Sequence, residues 1–240
     1  MSTPTSPTKI EHLLNPQDPT DALRWYYAHK RGTQLFVQPE NNPTSYLAFS
    51  RIGWDLFRFL LTYHFPPSPE ATADLLYTHL SADTSLWIIG PATDYNLLSA
   101  FFTIQSHKTL HLYTYDHGQS LAPHINVLVQ RKTSANGFPQ FYIEQPDTNG
   151  ELTIAASATL NWQSPHFAEL NVQTEAAHRR RGWGRAVVAA LTQYVLAHGR
   201  TPLYAVVDNN APSHRLATTL GYRDTGYREM MLEATLRPQP

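Results

Sequence analysis

Three consecutive arginines, Arg179, Arg180 and Arg181, run directly into Gly182, Trp183 and Gly184. Guanidinium groups neutralise oxyanions through charge-assisted hydrogen bonds, and glycine lets a backbone approach a ligand closely because it has no Cβ. Beyond them, Val187, Ala190, Leu191, Tyr194 and Val195 fall at i, i+3, i+4, i+7 and i+8, one apolar stripe on a helix expected over 184–198. The loop therefore opens a helix, whose first amides and positive dipole end point at the same anion. Together these features predict a pyrophosphate site in which amides give direction and arginines neutralise charge. The spacing has neither the Lys-Ser/Thr ending of a Walker A loop nor the third glycine of a dinucleotide fingerprint.

The elements that hold this loop follow from punctuation and period. A short strand over 168–173 precedes it, Gly199 caps the helix, and Pro202 prevents its resumption. PLYAVV (202–207) reads as a buried strand, and a second helix spans 211–220, with Asn210 suited to the N-cap, Pro212 in the first turn and Gly221 after it. YRDTGYREMMLEA closes as one or two strands. The order is β-α-β-α, with the arginine loop at its first junction. Upstream, INVLVQR, QFYIEQ and ELTIAASATLNW read as strands, the last two joined by the turn Asp147–Gly150.

The first half is a separate mixture. A short helix is expected over DALRWYYAHKR, strands over TQLFVQ and SYLAFSRI, a helix over 69–81, and extended runs over SLWIIG, NLLSAFFTIQ and TLHLYTYD. Residues 1–20, with four prolines, read as a flexible lead-in. DHGQSLAPH separates the halves, giving an organisation of 1–20, 21–118 and 119–240.

Composition excludes several classes. The 240 residues are 42% hydrophobic, enough to bury a sizeable core. Charged residues are 15% and the net charge is -1, which argues against a general nucleic-acid binder. The neutral total is uneven: nine arginines against four acids give residues 179–240 a local balance of +5. An arginine excess on an otherwise acidic chain suits a small anion. There is no cysteine, so thiolate nucleophiles and disulfides are excluded. No apolar run approaches the roughly 20 residues of a membrane span, and MSTPTSPTKIEH lacks the apolar core of a signal peptide, so a cytoplasmic location is expected. The twelve histidines include His107 and His111 in a strand-like region, a spacing that does not place two imidazoles on one helical face, and no metal is expected. A Gly-x-Ser-x-Gly elbow is absent.

The loop Arg179-Arg180-Arg181-Gly182-Trp183-Gly184 and the later signature Asn210, Ser213, Leu216, Leu220, Gly221, Tyr222 resemble the core of the GNAT superfamily of acyl-CoA-dependent N-acyltransferases. The likeness covers roughly 138–233; "VQT" before the loop and "TPLY" after the helix resemble the glycine N-acyltransferase-like branch. The resemblance implies an α/β (α+β) GNAT fold, a mostly antiparallel sheet flanked by helices, with acetyl-CoA or another acyl-CoA as co-substrate and no metal. It implies that Val172, Gln173 and Thr174 pair with the pantetheine arm. The pyrophosphate would lie on the amides of Arg181, Gly182, Trp183 and Gly184, reinforced by Arg179 and Arg180. Asn210 and Ser213 would contact the pantetheine or its phosphate end, although helix capping alone also accounts for them.

The implied chemistry is direct attack of an amine on the thioester. Glu169, which alternation places on one sheet face with Asn171, is the first choice as base, and His166 is a second. Many family members carry a tyrosine as acid where this chain has Ala217; Tyr222 and Tyr204 are the replacements at hand. Residues 119–150 are too short and strand-like for the two helices that wall the family's acceptor site. Residues 21–118 are therefore expected to supply that wall, as a degenerate GNAT-like half. The expected acceptor is a small-molecule or peptide amine, with no nucleic-acid or membrane partner, acting as a monomer or homodimer. The rival expectation is a non-catalytic acyl-CoA-binding or regulatory module.

Overall fold

The computed structural model describes residues 5–116, 121 and 127–239. In chain order the first elements are α1 (Ala22–His29), β1 (Gln34–Gln38), β2 (Ser45–Ile52), β3 (Asp55–His64), α2 (Pro69–His79), β4 (Ser85–Pro91), α3 (Tyr95–Phe101) and β5 (Phe102–Tyr115). They are followed by β6 (Gln130–Thr133), β7 (Pro139–Pro146), β8 (Leu152–Gln163), β9 (Phe167–Thr174), α4 (Trp183–Ala197), β10 (Thr201–Val207), α5 (Ala211–Thr219) and β11 (Tyr222–Leu236). Two compact units result: residues up to 111 with those from 227 onward, and residues 112–226. The expected boundary at 118/119 lies outside the described residues. β5 and β11 each contribute to both units.

In the first unit β1, β2 and β3 pair antiparallel in sequence order. α2 then crosses over to β4, which runs parallel to β3, and β4 pairs antiparallel with β11. The alternation of β2 buries both of its faces. Leu47 and Phe49 pack with Leu61, Leu75, Leu76 and Ile88, while Tyr46 and Ala48 pack with Ala28, Leu35 and Ile10. α2 starts where expected because Pro69 fits the first turn and the Ser68 side chain accepts from the Ala71 amide.

Two expectations fail in this unit. Residues 5–20 are not a loose lead-in: Pro7–Leu13 forms a 3₁₀ turn whose Ile10 is fully buried, as is Leu14 beyond it. NLLSAFFTIQ is not one extended run, since α3 occupies Tyr95–Phe101 and the strand begins at Phe102. A short apolar run has no period that separates a buried helix from a buried strand, and burial of Leu98 in the core decides it.

In the second unit β6, β7, β8 and β9 form an antiparallel meander, and α4 crosses over to β10, parallel to β9. α4 lays Ala186, Val187, Leu191 and Val195 on Ala158, Leu160, Ala168 and Leu170, each large side chain contributing about 1.5–3 kcal/mol of burial. Gly199, at φ 71°, ends the helix in the left-handed region. Of the expected strand INVLVQR, only Gln130 and Arg131 lie in β6; 127–129 are not strand, and 125 and 126 lie outside the described residues. No helix among the described residues is long and apolar enough to cross a membrane.

Candidate functional site

The site begins with a fork between two parallel strands. β9 and β10 are in register only through Thr201↔Phe167, Pro202↔Ala168 and Leu203↔Glu169. β9 then continues to Thr174 paired with β8, and β10 continues to Val207. A wedge therefore opens at the carboxyl ends of both strands, the usual place for a ligand in a parallel sheet. Its β9 edge, Val172–Gln173–Thr174, is a strand edge onto which an extended ligand can pair.

The helix α4 starts at the mouth of the wedge. Gly182 is its N-cap at φ 78°, with no side chain to satisfy the amides of the first turn. Arg180 also sits in the left-handed region, at φ 62°, a conformation that side chains adopt at a cost of about 1–3 kcal/mol and that recurs at ligand clamps. Gly184 allows α4 to lie against β9: a Cβ there would stand 2.9 Å from the Thr174 Oγ1. Trp183 is buried between the stacked His178 ring at 5.2 Å and the Arg181 guanidinium at 5.2 Å. Arg179 Nε donates to the Thr174 carbonyl at 3.2 Å, fixing the loop to the end of β9. Arg180 and Arg181 are exposed, and Arg185 Nε is buried in the first helical turn with no hydrogen-bond partner. The arrangement brings a helix start without a side-chain cap together with cationic side chains.

Glu169 lies at the closed end of the wedge, 8% exposed. Across the sheet, Leu160 faces Leu170 and Trp162 faces Glu169, so Asn161 is an extra residue in β8. Neighbouring strand residues ordinarily point to opposite faces, but this bulge aims both at one carboxylate. Asn161 Nδ2 donates to Glu169 Oε1 at 2.6 Å and Trp162 Nε1 donates to Oε2 at 3.0 Å. Burial pushes the Glu169 pKa up, and the two hydrogen bonds oppose that rise. Sequence reasoning missed Asn161 and Trp162, because a bulge leaves no mark on hydrophobic alternation.

The β10 arm leads into α5. Asn210 caps that helix, its Oδ1 accepting from the Ser213 amide at 3.2 Å. Tyr204 follows the last residue of β10 that pairs with β9; burial raises its hydroxyl pKa, countered by a hydrogen bond with Ser213. His214, also missed, locks the turn: Nε2 lies 3.2 Å and 3.0 Å from the Val207 and Asp208 carbonyls, so it carries the proton. Nδ1 then accepts from the Tyr113 hydroxyl at 2.9 Å.

Tyr222 stands elsewhere. It is 2% exposed, with its hydroxyl 2.6 Å from Thr192 Oγ1. Thr192 spends its own proton on the Val188 carbonyl at 2.8 Å, so Tyr222 must donate to Thr192. Its hydroxyl is committed within the core beneath α4, a placement that does not suit the acid expected of it. His166 is exposed just ahead of β9. Among the described residues no group of His, Asp or Glu could hold a metal ion.

Residues 155–231 match the family model of FR47-like proteins. A search of curated proteins finds no match. Among solved structures, a GCN5-related N-acetyltransferase-like protein from Streptococcus suis is similar at 15% identity, with a TM-score of 0.66 over 95% of this chain and 100% of that one. An acetyltransferase of the GNAT family from Colwellia psychrerythraea is similar at 12% identity, TM-score 0.60, over 97% and 98% of the two chains. A tandem GNAT protein from the clavulanic acid biosynthesis pathway is similar at 13% identity, TM-score 0.57, over 87% and 84%. The chain has the GNAT fold.

Proposed function

We propose that this protein transfers an acyl group from an acyl-CoA to a primary amine by direct attack. The observation that carries the reading is the β9/β10 wedge, with an uncapped, glycine-led helix at its mouth and a buried carboxylate at its closed end. The residues present fit acyl-CoA: Gly184 leaves a space that a Cβ would fill, and Arg185 Nε is a buried donor awaiting an acceptor. The edge Val172–Thr174 would hold the pantetheine, and the amides of Arg181–Gly184 with Arg179 and Arg180 its pyrophosphate. Asn210 is engaged in capping, and Ser213 reaches Tyr204; both would face the same arm from the start of α5.

When bound, the acyl-CoA supplies the activated thioester carbonyl. Glu169 takes the proton of the acceptor ammonium, a task for which a raised carboxylate pKa is better matched to neutral pH than an ordinary one. Asn161 and Trp162 hold both of its oxygens in place. The amine nitrogen then bonds the carbonyl carbon as the carbon–sulfur bond breaks, and the second proton it sheds as the amide forms replaces the one that Tyr204 gives to the sulfur. Tyr204, beside the end of the paired region and held by Ser213, is the residue this reading assigns to protonate the departing sulfur. Free CoA release would be followed across a panel of amines, small molecules and peptides, in wild type, Glu169→Gln and Tyr204→Phe. Steady release that falls by about 10²-fold or more in Glu169→Gln supports the assignment.

A second reading, a non-catalytic acyl-CoA-binding module, draws on Ala217 and on the committed hydroxyl of Tyr222. Tight binding without CoA release from any amine would select it.

A further inference from the structure

We propose that the β2–β3 hairpin of the first unit is a docking element for an anionic lipid surface. Among the described residues five large apolar side chains are strongly exposed, and three belong to this hairpin: Trp54 at 56%, Leu56 at 73% and Phe57 at 94%. They are not frayed. The register passes from Arg51↔Phe59 to Ile52↔Asp55, so residues 56–58 are extruded as a bulge.

Specific bonds brace that bulge. Asp55 Oδ1 accepts from the Phe57 and Arg58 amides at 2.9 Å and 3.1 Å, and its Oδ2 accepts from Trp87 Nε1 at 2.9 Å. Arg51 Nη1 donates to the Leu56 carbonyl at 2.9 Å. Arg58 joins Asp55 to Glu233, and Trp54 meets the Trp87 ring edge-on at 4.7 Å. A fold that fixes apolar groups in water, rather than letting them collapse, is holding them for a partner.

The surrounding charge says which partner. β1 begins at Gln34 opposite Phe49, so the turn before it lies at the hairpin's end of the sheet, and Lys30 Nζ donates to the Arg51 carbonyl. Lys30, Arg31 and Arg51 thus flank the tip, while Arg58 takes up both Asp55 and Glu233. Trp and Phe at a tip with basic residues behind them match the headgroup region of an anionic bilayer. The extent also fits. Three such side chains offer on the order of 400 Å², taking large aromatics at roughly 150–250 Å² each, about half of the ~800 Å² that each partner of a stable protein pair contributes. This reading replaces the expectation of no membrane partner and is independent of the acyl-transfer proposal.

The test is co-sedimentation of the full chain with vesicles of 30% phosphatidylserine in phosphatidylcholine, against phosphatidylcholine alone, with analytical ultracentrifugation of the free protein. Binding to the anionic vesicles is expected, reduced tenfold or more in Leu56→Ser/Phe57→Ser. Arg31→Glu should weaken it about fivefold or more, at roughly that factor per basic residue near the surface. Circular dichroism confirms that both variants fold. Absence of wild-type sedimentation overturns the proposal, as does binding unchanged in Leu56→Ser/Phe57→Ser. A dimer abolished by that double substitution also overturns it, since the tip would then serve a second copy of the chain.

Discussion

The two units build the same local design and treat it oppositely. Each has antiparallel strands leading into a strand, a crossover helix, a parallel strand and a second helix: β3–α2–β4–α3 in one, β9–α4–β10–α5 in the other. In each the parallel strands pair briefly and part, through Leu60↔Trp87 and Leu61↔Ile88 in the first and through three pairs ending at Leu203↔Glu169 in the second. Two positions beyond the last pair of β3 and β4, the first unit places Tyr63 against Gly90, so tightly that a Cβ on Gly90 would lie 2.4 Å from the Tyr63 hydroxyl oxygen. Its helix α2 opens with Pro69, which has no amide, Ser68 occupies the Ala71 amide, and Glu70 adds negative charge in the first turn. α4 opens with glycine, free amides and arginine. The local design repeats, and the proposed anion site falls in the copy whose helix start is left bare.

That contrast can be broken deliberately. Gly182→Glu should remove acyl-CoA binding, by 100-fold or more in a calorimetric titration, because it adds an anion and a strained side chain where amides meet phosphate. Glu70→Arg in the first unit should leave the same titration unchanged. Gly90→Ala should lower thermal stability by about 1–3 kcal/mol through overpacking against Tyr63, with acyl-CoA affinity retained and Tyr63→Leu restoring the loss. Gly184→Ala, whose Cβ meets a rotatable Thr174 side chain, should cost less stability but weaken acyl-CoA binding several-fold, and Thr174→Ala should relieve it.

The buried carboxylate sharpens the comparison through pH. Since the Glu169 pKa is raised in the folded state, ionising it is harder there than in the unfolded chain. Its contribution to stability is therefore fully present below the ordinary carboxylate value of about 4.3 and is lost as pH rises through the raised value. The melting temperature of wild type should accordingly fall relative to Glu169→Gln over that window. Asn161→Ala removes a bond that favours the charged form, so the acidic limb of the rate–pH profile should move upward, the smallest effect of the series.

Much of the second unit was legible in the sequence. The stripe Val187, Ala190, Leu191, Tyr194, Val195 located α4 to within a residue at each end, and Gly199, Asn210 and Pro212 bounded the elements around it. Those signals are local, set by period and by caps. What escaped was non-local. The bulge at Asn161 shows only when β8 is paired with β9, and the hydrogen bond between Tyr113 and His214 joins residues 101 apart in the chain. Tyr222 was offered, with Tyr204, as a replacement for the acid because Ala217 occupies the family's position, and the Thr192–Val188 hydrogen bond that commits its proton depends on how α4 packs. The apolar tip at Trp54, Leu56 and Phe57 could not be read from the sequence, because only the register shift in the β2–β3 pairing extrudes it.

Hydrogen exchange of the full chain with and without acetyl-CoA tests the central claim most directly, because it reads both forks in one experiment. The account expects new protection at 172–174 and 181–184, with none at 60–72. Protection at the β3–α2 junction, or no change at the β9–α4 junction under saturating acetyl-CoA, would contradict it.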